Sequence, residues 1–145
     1  MSFEGSNLVD WAAFARARAE LGGGFVRILG YFEEDGIKSV GAIEAAVRAG
    51  NAAALVIPAH TLKGESRQFG AEPLALVAER IEMMARTCVE KHDTPEEVLE
   101  HVVGLRKLFH DTLALLQREA NPLVERRPVA GAGFGRRPAT GFGRA

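Results

Sequence analysis

The sequence predicts an all-α protein, an antiparallel four-helix bundle with a short additional N-terminal helix. Three observations carry this. Alanine is abundant and β-branched runs are absent. Apolar residues recur at steps of three and four, the period of one helix face. No stretch of residues 1–120 alternates strictly enough for a strand, and short connections between amphipathic helices favour an antiparallel bundle.

The first helix is expected to start at Asp10, a good N-cap, and to carry Trp11, Phe14 and Ala15. Gly22-Gly23-Gly24 ends it. The second runs from Phe25 to about Ala49 with the stripe Phe25, Leu29, Phe32, Gly36, Val40, Ile43 and Val47. Gly36 sits on that stripe, which leaves room for a kink or a break at Asp35-Gly36. Gly50-Asn51 reads as a stop followed by a cap, and the third helix spans about 52–69. Its stripe is Leu55, Ala59, Leu62, Ser66 and Phe69, and Pro58 inside it should bend it. Gly70 closes it. Glu72-Pro73 opens a fourth helix lined by Leu74, Val77, Ile81, Met84 and Cys88. After a turn at Lys91-His92-Asp93, the run Thr94-Pro95-Glu96-Glu97 resembles a capping box. It predicts one continuous fifth helix carrying Val98, Val102, Leu105, Phe109, Leu113 and Leu116, ending before Pro122.

Composition divides the chain in two. The net charge of −1 averages a body and a tail of opposite sign. Residues 121–145 hold five arginines against one acid, three prolines, five glycines and the near repeat Gly-Phe-Gly-Arg at 133–136 and 141–144. Residues 1–120 carry 13 basic and 18 acidic residues. The expected organisation is therefore a helical unit over 1–120 and a basic Gly/Pro/Arg-rich tail over 121–145, disordered or docked at the periphery. Arginines interleaved with Phe134 and Phe142 could touch nucleic acid, but five in such a segment are weak grounds, and none is expected as a partner. One cysteine excludes an internal disulfide framework. No apolar run is long enough to span a bilayer and no secretory signal opens the chain, so a cytoplasmic location is the expectation. His92, His101 and His110 recur every nine residues, so consecutive members point to opposite helix sides, and with no His-x-x-x-His or Glu-x-x-His pair on one face no metal site is expected.

The chemistry concentrates in Ala59–Ala71. On a helix, His60, Lys63, Gly64 and Arg67 fall on one face, and Ala59, Leu62, Ser66 and Phe69 on the other. His60 should therefore be exposed, with a cation one turn away and bare backbone beside it. A neutral imidazole is a nucleophile near pH 7, and a phosphoryl group on it would be partly neutralised by Lys63. Gly64 costs about 1 kcal/mol relative to alanine in a helix, which suggests that something must approach closely there. Gln68 is expected to point sideways. Glu82, one helix later, reads as an exposed residue outside the site.

At His60-Thr61-Leu62-Lys63-Gly64, with Gly70-Ala71, Leu74 and Ile81-Glu82 following, the sequence resembles the histidine-containing phosphotransfer (HPt) family of two-component phosphorelays. The wider resemblance covers roughly residues 9–117. It implies a phosphocarrier without kinase activity of its own. His60 would be the phosphoacceptor, taking a phosphoryl group from a receiver-domain aspartate and passing it to another receiver. Lys63 would steady the phosphate and Gly64 would admit the partner. Leu62 and Gly70 would be structural, and Arg67 and Gln68 would be candidate receiver contacts. The implied partners are receiver domains of response regulators and hybrid histidine kinases, with this chain a monomer. No cofactor is expected on this chain, Mg²⁺ belonging to the receiver. Two departures stand out: Glu65 occupies a position where a small residue is common, and Pro58 precedes the histidine.

Two other classes compete. A helical module that binds receivers or kinases without carrying phosphate would not require His60 and Lys63. A histidine-kinase dimerisation domain usually follows its histidine with an acid, whereas Thr61 stands here.

Overall fold

A computed structural model describes residues 7–120. The expectations for the tail at 121–145 lie outside the described residues. The helices are α1 (Trp11–Leu21), α2 (Phe25–Arg48), α3 (Ala53–Gln68), α4 (Glu72–Lys91), α5 (Leu99–Val102) and α6 (Leu105–Ala120), with no strand among the described residues. The long helices α2, α3, α4 and α6 form the bundle, and α3 with α4 is its most extensive pair.

The helix ends follow local chemistry. Asp10 caps α1, its Oδ1 accepting from the Ala12 and Ala13 N–H groups at 3.1 and 3.2 Å. Gly50 takes φ +66°, and the Asn51 side chain accepts from the Ala54 N–H at 3.1 Å, so the stop and the cap between α2 and α3 form as the sequence indicates. α3 runs unbroken through Pro58.

Gly36 does not interrupt α2. It is buried, and a Cβ at that position would overlap the Phe109 ring. The glycine lets α6 approach α2 at the point where Phe109 packs on Phe32, ring centroids 5.6 Å apart. Further rings continue this contact through Phe69, Phe25 and Phe14, each 5.2–5.6 Å from the next. Along α1, Phe14 and Ala17 are the buried residues, while Ala15 faces outward.

Gly70 serves a different end. Its φ is +78°, and its α-carbon lies against α1: a Cβ would stand 2.6 Å from the Asp10 carbonyl oxygen and 3.0 Å from the Ala13 Cβ. The Asp10 N–H also donates to the Gly70 carbonyl at 2.8 Å. The turn that ends α3 is thus the place where the N-terminal helix is fastened.

The fifth helix departs from expectation in two ways. It is not continuous: a 3₁₀ turn at Glu96–Val98 and the short α5 precede a turn at Val103-Gly104, after which α6 begins. Thr94 caps nothing, because the first turn closes through the backbone, the Val98 N–H donating to the Pro95 carbonyl at 3.1 Å. The apolar stripe survives the break, since Val98, Val102, Leu105, Phe109, Leu113 and Leu116 are all buried. Tertiary burial prevails over helix continuity, and the exposed Gly104 sits at the bend.

Replacing Gly70 by alanine is expected to lower unfolding stability by about 2 kcal/mol or more, from left-handed strain together with the clash against α1. Urea unfolding measures this, and an unchanged midpoint would show that α1 is not held there.

Candidate functional site

α3 presents His60 to solvent, its side chain 59% exposed, as the helical spacing requires. The opposite face is sealed: Leu55, Ala59, Leu62 and Ser66 are buried. Gly64 is exposed, and a Cβ there would meet nothing within 4 Å. Unlike Gly36 and Gly70, this glycine answers no packing demand inside the chain. Ile57, one turn before His60 on the same face, is exposed as well.

The principal correction concerns Glu82. It is buried, its side chain only 6% exposed, and it lies at the centre of the site. The carboxylate faces α3. Its Oε2 is 3.0 Å from His60 Nδ1, and its Oε1 pairs with Lys63 Nζ at 2.9 Å. From its own helix, Arg86 donates Nε and Nη2 to Oε2 at 3.0 and 2.8 Å. Burial pushes the Glu82 carboxyl up, but the contacts from Lys63, Arg86 and His60 outweigh it and hold the group at about 2. An ionised carboxylate only accepts hydrogen bonds, so Nδ1 of His60 must carry the hydrogen. The lone pair of the neutral ring then stands on Nε2, the nitrogen turned away from Glu82.

The burial of Glu82 follows from a rotated α4. The large apolar residues Leu74, Val77, Ile81, Met84 and Cys88 suggest one stripe, yet Val77, Met84 and Cys88 are only half-buried. The buried set is Leu74, Ala75, Ala78, Ile81, Glu82 and Ala85. Ala75, Ala78 and Ala85 are small enough to bring α4 close to α3, and they carry Glu82 into the interface with them. The recurrence of alanine at 75, 78 and 85, in phase with position 82, was the available signal. Weighting residues by size hid it.

Lys63 is 21% exposed and engaged with Glu82. Arg67 shares the His60 face but is paired with Glu79 at 3.0 Å and Glu72 at 3.4 Å. Gln68 is exposed at the end of α3. Leu62 is fully buried, and Gly70 holds the α1 contact. Glu65 points away from His60 toward α2. Its Oε1 is buried with no donor, and burial first, then the neighbouring Asp35, raises its carboxyl to about 7. Two carboxyls so placed favour a proton held on Glu65 and donated to Asp35.

Among the described residues, no cluster of three or more His, Cys, Asp or Glu side chains is placed to hold a metal ion, and no helix is long and apolar enough to cross a membrane.

A family model described as the Hpt domain matches residues 27–119. Among solved structures, the chain is similar in fold to histidine-containing phosphotransfer protein B (HptB) from Pseudomonas aeruginosa PAO1, with a TM-score of 0.69 and 24% identity over 77% of this chain and 93% of that one. No curated protein matches it.

Glu82 and Glu65 act in opposite directions. Glu82, depressed below the unfolded value of 4.5, adds stability above that pH, and this is lost as pH falls toward 2. Glu65, raised to about 7, adds stability that is full below 4.5 and lost as pH rises through 7. The melting temperature of the wild type should therefore fall between about pH 5 and about pH 8 relative to Glu65→Gln, which has no proton to lose. Parallel pH profiles for the two proteins would contradict the Asp35–Glu65 arrangement.

Proposed function

The chain belongs to the Hpt domain family, and from that membership we propose that His60 is the residue that carries its phosphoryl group. The family supports a phosphocarrier role in phosphorelays, whose Hpt proteins interact with receiver domains. The observation that carries the residue assignment is the hydrogen bond between His60 Nδ1 and a buried, ionised Glu82, which leaves Nε2 as the exposed nucleophile.

In this reading the Nε2 lone pair attacks the phosphorus of a receiver aspartyl phosphate. The P–N bond forms as the P–O bond to the aspartate breaks, and the carboxylate departs with the electron pair. Nδ1 keeps its proton throughout, held by Glu82, which also stabilises the positive charge that the ring acquires. Lys63 lies within one turn and can turn part of its charge to the phosphoryl oxygens. The bare backbone at Gly64 gives the receiver room to approach, and the exposed Ile57 supplies apolar contact on the same face. The receiver contributes the aspartate and the Mg²⁺; this chain contributes the histidine, the lysine and the docking surface. Arg67, held by Glu72 and Glu79, meets a partner as part of an ion-pair cluster rather than as a free cation. The transfer unit falls within the helical part of the chain, expected over residues 1–120 and described over residues 7–120.

Incubation with a phosphorylated receiver tests the assignment. Label should move to the wild type in acid-labile form and fail to move to His60→Gln. Equal labelling of both would remove His60 from the role, and tight receiver binding with no label on the wild type would leave a binding module.

Gly64 gives a separate test. Gly64→Ala should raise stability by up to about 1 kcal/mol, since alanine is the better helix former and its Cβ meets nothing in the chain. The same change should slow phosphotransfer. Unchanged transfer kinetics would show that no close approach occurs at Gly64.

A further inference from the structure

We propose that Arg86 is a positioning residue for His60, acting through Glu82 to keep the imidazole hydrogen on Nδ1 and the lone pair on Nε2. The role bears on phosphotransfer only if His60 is the phosphoacceptor, but the positioning itself can be observed without any transfer.

Four contacts surround the Glu82 carboxylate. Three converge on Oε2, namely His60 Nδ1 at 3.0 Å and Arg86 Nε and Nη2 at 3.0 and 2.8 Å. Lys63 stands on Oε1 at 2.9 Å. All the hydrogen bonds gather on Oε2, while Oε1 is buried and has only the Lys63 ammonium beside it as an ion-pair partner. Arg86 supplies two of the four contacts, and it supplies them to the same oxygen that holds His60.

Arg86 lies one helical turn beyond Glu82 on α4, and its side chain is 58% exposed. By position it could be an ordinary surface ion pair, which contributes little to anything. Its partner makes the difference. Glu82 is 6% exposed, so a lost contact is not replaced by bulk water. Without Arg86, Lys63 would be the remaining cation on the carboxylate. The group would then turn toward Lys63, and Oε2 would leave His60. An imidazole released from Glu82 is free to move its hydrogen to Nε2, which removes the lone pair from the exposed side of the ring. The fork of the guanidinium matters as well as its charge, because an ammonium cannot place two coplanar donors on one oxygen.

The test is long-range ¹H–¹⁵N NMR of the histidine side chains in the full chain at about pH 8.5, above the ordinary imidazole range. The wild type should show His60 as a single Nδ1–H tautomer. Arg86→Gln should show a mixture or the Nε2–H form, and Arg86→Lys should fall between them. Circular dichroism and melting temperature show whether each variant is folded. Should Arg86→Gln not fold, Arg86→Lys alone still decides through its own shift from the wild-type spectrum. Phosphotransfer to Arg86→Gln should be slower by about tenfold, the lower end of what loss of an analogous carboxylate partner of a metal-bound histidine costs. A folded Arg86→Gln with the wild-type His60 spectrum would overturn the proposal, as would a wild type that is not Nδ1–H. Altered tautomers with unchanged transfer would uphold the positioning and show that the tautomer does not limit transfer, while the labelling of His60→Gln decides the phosphoacceptor role separately.

Discussion

One buried anion organises this molecule. The Glu82 carboxylate sits between α3 and α4, and a charge removed from water must find donors there or become neutral. Its donors are His60 from α3 and Arg86 from α4, and Lys63 of α3 adds a paired cation. The residues that gather on the buried charge are thus the ones that, in the proposed function, direct the exposed histidine through Nε2. Packing and chemistry are coupled through the alanines of α4, because only a close α3–α4 approach brings the carboxylate under His60. A larger residue at position 78 or 85 would displace α4 and disturb the histidine without touching it.

Three glycines show how the same residue type serves different demands. Gly36 makes room for the Phe109 ring, and Gly70 supplies a left-handed turn pressed against the start of α1. Both are explained within the chain. Gly64 is explained by neither φ nor contact, since open space lies beyond it. In the proposed function this open backbone beside the imidazole is where the receiver comes close. The charges fit this reading. Lys63 and Arg86 outnumber Glu82 by one, so the site carries positive charge before any phosphoryl group arrives.

Much of this was legible in the sequence. The helices, the exposed face bearing His60, Lys63 and Gly64, and the buried face bearing Leu62 follow from spacing alone. The broken fifth helix did not, because Thr94-Pro95-Glu96-Glu97 reads as a start signal and only packing decides whether the helix continues past Gly104. Glu82 was read as exposed because charge ordinarily predicts exposure, and the stripe of large residues on α4 pointed elsewhere. Its burial depends on which face of α4 meets α3, which is a property of two helices together. The same holds for Asp35 and Glu65, which lie thirty positions apart in sequence and meet only across the α2–α3 interface.

In the proposed function Glu82 holds Nδ1 of His60 and thereby directs chemistry to Nε2. The most direct measurement is ³¹P and ¹⁵N NMR of the chain after phosphorylation by a receiver, which identifies the nitrogen that bears phosphorus. The account predicts a single phosphohistidine at His60 substituted on Nε2, with Nδ1 still protonated. Phosphorus on Nδ1 of His60, or on any other side chain, would contradict it.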